Sequence, residues 1–120
     1  MIASTVYPAL SGHAPLTAII GTRIFRDFAG DAPTAPYLVW SILATVPSQS
    51  VSRFAAYADR YSVSIDVFST DRAQSDALVI AARNAMEAIG KLSSGPQSLG
   101  FDSETRLFRY TFTVDVFVNR

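Results

Sequence analysis

From Thr105 to Val118 the chain alternates almost without interruption. Phe108, Tyr110, Phe112, Val114, Val116 and Val118 fall on one parity, while Arg109, Thr111, Thr113, Asp115 and Asn119 fill most of the other. A period of two is the repeat of an extended strand, whose successive side chains point to opposite faces. Such a strand needs neighbours to satisfy its backbone, and a cover on its apolar side only. Its other face is left to water or to a polar partner. The chain is therefore built on a sheet with one wet face.

Two more segments share this character. Tyr37 to Val46 and Tyr61 to Ser69 are dense in β-branched and aromatic residues and bounded by turn signals. In the latter, Tyr61, Val63, Ile65 and Val67 alternate with Ser62, Ser64 and Asp66. Between it and the last strand the pattern changes to helical spacing over Asp71 to Ile89. Leu78, Ala81, Ala82, Ala85, Met86 and Ile89 form one apolar stripe. Asp71 and Gln74 are spaced as a capping box at its start, and Gly90 is expected to end it. Near the N-terminus, Ile2, Val6 and Leu10, then Leu16, Ile19 and Ile20, suggest a helix broken at Ser11-Gly12-His13, with Pro15 in the first turn of its second part and Gly21 at its end. Arg23 to Phe28 is a short extended stretch. The expected class is α+β: one mainly antiparallel sheet packed against a layer of helices, with long inter-strand loops.

A chain of 120 residues is expected to be one domain spanning 1–120, long enough to bury roughly two thirds of its unfolded surface. Ten basic residues balance ten acidic ones, so no net field draws it to nucleic acid or anionic lipid. Arg53, Arg60, Arg72, Arg83 and Lys91 are dispersed among acids, without the basic stripe of a nucleic-acid binder. The start lacks the features of a signal peptide, and no apolar run approaches the ~20 residues of a membrane span. A soluble protein made in a cytoplasm is expected, with no membrane partner.

Catalytic groupings are missing. Without cysteine there are no disulfides, thiolate nucleophiles or ordinary structural zinc sites. His13 is the only histidine and has no carboxylate or nucleophile near it in sequence. Asp27, Asp31, Asp59, Asp66, Asp71, Asp76 and Asp102 are scattered without metal-ligand spacing. No serine lies in a nucleophile elbow, and the glycines form neither a dinucleotide fingerprint nor a phosphate loop. No enzyme, cofactor or metal is expected.

The connections are more informative. Val46 to Asp59 joins two strands that ought to be hairpin neighbours, yet far exceeds the usual 2–5 residues. It carries Phe54, Ala55, Ala56 and Tyr57, and apolar groups rimmed by polar ones mark either a loop folded over its own core or an interaction surface. Asp27 to Pro36 and Lys91 to Glu104 look like further extended connections. Ser64-Ile65-Asp66-Val67-Phe68 also echoes Thr113-Val114-Asp115-Val116-Phe117, as two neighbouring strands obeying one inside/outside code would. A sharper reading of the echo sets Asp66 and Asp115 on one polar face, turned to a ring lumen or a neighbour's arginine. Candidate interface residues are thus Arg53, Phe54, Tyr57, Asp66 and Asp115.

Leu16-Thr17-Ala18-Ile19-Ile20-Gly21-Thr22-Arg23-Ile24-Phe25, followed by Ala35-Pro36-Tyr37-Leu38-Val39-Trp40, resembles the opening of a tail-completion (tail terminator) family found in long-tailed phages, prophages and gene transfer agents. Val63 to Phe68 with the alanine-rich helix resembles the family's central strand and helix, and Glu104 through Val118 its final strand. The Phe54 to Tyr57 loop departs from relatives that are often more polar or acidic there. The resemblance implies a small α+β subunit without an active site. It also implies a ring, typically a hexamer, that caps the tail tube, touches the major tail tube protein, and offers a docking surface to the head–tail connector or stopper. The location implied is the virion tail, assembled in the bacterial host cytoplasm. The rival reading is another head–tail joining component, or a small non-enzymatic binding module that homo-oligomerises.

Overall fold

The computed structural model describes residues 3–30, 34–47, 58–103 and 105–119. Along the chain run α1 (Ala3–Ser11), α2 (Ala14–Ile20), β1 (Ile24–Arg26), β2 (Tyr37–Pro47), β3 (Ala58–Ser69), α3 (Arg72–Glu87), β4 (Gly90–Asp102) and β5 (Leu107–Asn119). The strands form one sheet in the order β1-β2-β3-β5-β4. β1 pairs in parallel with β2, and the other three pairings are antiparallel. The class is α+β, as expected.

The N-terminal helix breaks where glycine and proline dictate. The Gly12 N–H donates to the Pro8 carbonyl at 2.9 Å and closes α1. Pro15 then sits in the first turn of α2, where its missing N–H costs nothing. Gly21 ends α2 at φ 59°, and its N–H donates to the Thr17 carbonyl at 2.8 Å.

Strand parity and helix stripes meet in one core. Leu38 and Trp40 lie opposite Val67 and Ile65, while Val63 and Ile65 lie opposite Val114 and Phe112. All are buried, together with Val6, Leu10, Leu16 and Ile20 from the first two helices and Leu78, Ala82, Ala85 and Met86 from α3. Asp71 caps α3, its side chain accepting the Gln74 N–H at 3.3 Å. The reciprocal arm runs through Ser69, whose Oγ accepts the Asp71 N–H at 3.2 Å and donates to Gln74 Oε1 at 2.7 Å.

Two expectations need correction. Gly90 does not terminate the helix, which ends at Glu87 with Ala88 as its cap and leaves Ile89 half-buried just beyond. Gly90 instead opens β4, where a Cβ would collide with the Asp115 carbonyl and the Val114 side chain. Nor is Lys91 to Glu104 a connection, because residues 91–102 belong to a strand that pairs with β5 from Gly90↔Val116 to Asp102↔Leu107. Three register shifts, between Leu92/Ser94, Ser94/Gln97 and Ser98/Gly100, erase its period of two. As a sheet edge it also tolerates Gly95 and Pro96, residues that otherwise read as a turn.

The expected connection from Val46 to Asp59 is narrower at both ends. Val46 pairs with Arg60 and Pro47 with Asp59, so the hairpin strands extend through these positions. Residues 48–57 lie outside the described residues. The long β2–β3 and β4–β5 pairs set the 50 Å axis of a molecule only 25 × 24 Å across. Among the described residues no helix is long and apolar enough to cross a membrane.

Candidate interaction face

The parity opposite the core faces away from the helices. β3 contributes Ser62, Ser64, Asp66 and Phe68, and β5 sets Asp115, Thr113, Thr111 and Arg109 opposite them in that order. β2 adds Val39 opposite Asp66, and Tyr37 opposite Phe68. The two aspartates therefore do share one face, on adjacent strands. The echo between the segments reflects neighbouring strands, with Ser64 opposite Thr113.

Each aspartate has a partner within the chain. Arg109 Nη2 donates to Asp66 Oδ2 at 3.2 Å in an ion pair whose side chains are 45% and 20% exposed. With that exposure the pair contributes no more than about 1 kcal/mol. Asp66 Oδ1, shielded from solvent, has no hydrogen-bond partner among the described residues. The arginine that meets Asp66 here is thus the chain's own. Asp115 accepts from Ser62 Oγ at 3.2 Å and lies opposite Lys91 of β4. Arg53, Phe54 and Tyr57, the other candidate interface residues, lie outside the described residues.

Beside Asp66 the face turns aromatic. The Arg109 guanidinium lies over the Phe68 ring at 5.4 Å, Phe68 stacks on Tyr37 at 4.7 Å, and Phe25 meets Tyr37 edge-on at 6.2 Å. Tyr37 is only 7% exposed despite facing away from the core. Burial pushes its hydroxyl above the ordinary tyrosine pKa, and the Arg109 charge partly opposes this. The residues following β1 pass beside these rings, and together they line a cleft of about 380 Å³ that takes in Asp27, Phe28, Gly30, Tyr37, Asp66 and Arg109. Phe28 is 70% exposed at this cleft.

Sequence reasoning singled out Asp66 but missed the cleft. One signal was available: Phe68 continues the polar parity of Ser62, Ser64 and Asp66, so an aromatic ring had to lie on the wet face. That Arg109 would meet Asp66 depended on the strand register, which no local pattern supplies.

The cleft's polar groups are carboxylates, one guanidinium and hydroxyls. Such groups hold a partner through charge, hydrogen bonds and ring stacking. His13 is remote from it in the fold, at the junction of α1 and α2, where its side chain makes no capping hydrogen bond. Among the described residues no three His, Cys, Asp or Glu side chains are grouped as metal ligands.

Comparison with known proteins bears on the whole architecture. A solved structure described as "Virion of native gene transfer agent (GTA) particle" contains a chain similar to this one, with a TM-score of 0.67 and 18% sequence identity over 96% of this chain and 92% of that one. At that identity the likeness concerns the fold. A comparison with curated protein sequences returned no match. The family described as Tail completion protein gp17 matches residues 4–119, from the first helix to the end of β5. The chain therefore belongs to the tail completion protein gp17 family and is a structural protein of phage-type tails.

Proposed function

We propose that this chain is a tail terminator: a single-domain subunit, without catalytic activity or cofactor, that assembles into a hexameric ring. The ring caps the finished tail tube, touching the major tail tube protein on one side and the head–tail connector or stopper on the other. It is made and assembled in the bacterial host cytoplasm and resides in the virion tail. The observation that carries this reading is family membership over almost the full length. A helix-free sheet face with exposed charge and an aromatic cleft agrees with it, since a ring subunit must offer surface to unlike neighbours.

Native mass spectrometry of the purified chain, followed by electron microscopy with isolated tail tubes, tests the reading. The expected result is a hexamer, formed free or on the tube, found at one tube end. A chain that neither forms rings nor binds tube ends would overturn it. Binding to connectors alone, with no affinity for tubes, would identify a different head–tail joining component.

A further inference from the structure

Charge is spread unevenly over this chain. The first 22 residues contain no Asp, Glu, Lys or Arg, although 17% of the whole chain is charged. α1 and α2 lie within this stretch and bury their inner sides through Val6, Leu10, Leu16 and Ile20. Their outer sides present Tyr7, Pro8, Ala14, Pro15 and Ala18, with Tyr7 47% exposed. A soluble surface normally mixes charges among its side chains, and depletion of charge marks the centre of a protein interface.

A second charge-free strip lies on β4. Between Lys91 and Asp102 the strand has no charged residue, and Leu92, Leu99 and Phe101 are 36%, 47% and 50% exposed. Leu92 pairs with Val114 and Phe101 with Phe108, and paired residues of a ladder share a face. Leu92 and Phe101 therefore point to the side that carries the helices, where Val114 is fully buried. α3 packs over β3 and β5 and reaches β4, yet leaves these β4 side chains open. A two-layer fold covers its apolar sheet with helices, and here the layer does not close over the last strand.

The two surfaces lie on opposite flanks. α1 touches β1 at one edge of the sheet, and β4 is the other edge. A copy can therefore give its α1–α2 surface to one neighbour and take that of another, the arrangement of a head-to-tail ring. Neutrality selects the match, because a charged surface laid on either one would lose its hydration with no opposite charge to meet it. The exposed rings of the open sheet face have charges beside them instead, Phe28 next to Asp27 and Phe117 opposite Arg60.

We infer that the α1–α2 surface of one copy covers the β4 strip of the next, with Tyr7 and Phe101 at the contact. The inference rests on the self-assembly proposed above. The contact continues the helical layer across the subunit boundary and uses side chains on the face of β4, not its outer backbone edge.

Mixing two disabled variants tests it. Tyr7→Asp with Ala18→Asp places charge on the helical surface, and Leu99→Asp with Phe101→Asp places it on the strip. All four positions are exposed, so thermal unfolding should stay near wild type. Each variant alone is expected to associate at least about a hundredfold more weakly, as uncompensated charge in a contact demands. Mixed in equal amounts, the two should form a one-to-one dimer and nothing larger, since the pair retains one intact contact. Native mass spectrometry reads both results. Wild-type assembly by either folded variant, or a mixture that stays monomeric, would overturn the inference while leaving the ring standing. Where the wild type assembles only on tubes, electron microscopy of tube ends replaces this readout, and rings from either variant would refute the contact. A wild-type chain that stays monomeric, alone and on tubes, would overturn both. If the Asp variants do not fold, Tyr7→Ser and Leu99→Ser with Phe101→Ser take their place under the same criteria.

Discussion

Truncating the α3 stripe should destabilise the chain in a rank order that the burial pattern sets. Leu78 and Met86 are fully buried, whereas Ile89 lies beyond the helix end and is only partly covered. Three of the other buried residues of α3 are Ala81, Ala82 and Ala85, whose side chains cannot rotate to refill a void. Leu78→Ala and Met86→Ala should each cost roughly 2–5 kcal/mol, from lost transfer energy plus a cavity that the surroundings refill only in part. Ile89→Ala should cost clearly less than either. Set against a typical total of about 5–15 kcal/mol, the two larger losses are a substantial part of the stability. In urea, with a slope of about 1–3 kcal/mol/M, the midpoint should fall by roughly 1 M or more. Circular dichroism on the monomeric fraction reads this directly. Wild-type midpoints for Leu78→Ala and Met86→Ala, or a larger loss for Ile89→Ala, would mean that α3 does not pack through this stripe.

Four further outcomes are expected. Asp71→Ala removes the acceptor for the Gln74 N–H and should cost about 1 kcal/mol in the same titration. His13→Ala should leave folding and tail assembly intact; lost assembly with the fold preserved would reveal a binding role. Phe54→Ser with Tyr57→Ser should spare thermal stability yet weaken ring formation or tube binding, since buried aromatic anchors can each contribute about 2 kcal/mol; early unfolding would instead place them in the core. Tyr110 donates to Asp76 Oδ1 at 2.6 Å, a bond that holds its ionisation above the ordinary tyrosine value. The fold thus favours neutral Tyr110, and the contribution, intact below the unfolded pKa, is lost as pH rises through the folded one. Ultraviolet titration should show Asp76→Asn lowering that ionisation.

What the sequence made legible follows from how local each signal is. β3, β5 and α3 announce themselves because side-chain period and burial coincide over many residues, as at Val63, Ile65 and Val67 or Leu78, Ala82 and Met86. The α1–α2 break was readable from Gly12 and Pro15 for the same reason. β4 was not. Its backbone pairs along β5, but almost every side chain is exposed and three register shifts scramble the alternation. A strand held by hydrogen bonds rather than by side-chain burial leaves no hydrophobic period to read. The cleft was hidden differently: Asp66, Tyr37 and Arg109 come from three strands, and only the register brings them together.

The edge strand also bears on which surfaces a ring can use. An unpaired edge of 13 residues would invite another strand to add to it, and then another, giving open-ended growth. β4 is poorly suited to that. Pro96 lacks a backbone N–H, and the shifts on either side of it interrupt the straight ladder that an incoming strand requires. At the opposite edge β1 has only three residues, already paired in parallel with β2. Both edges are therefore blunted, so a ring of the kind proposed above would be joined through surfaces other than the sheet edges.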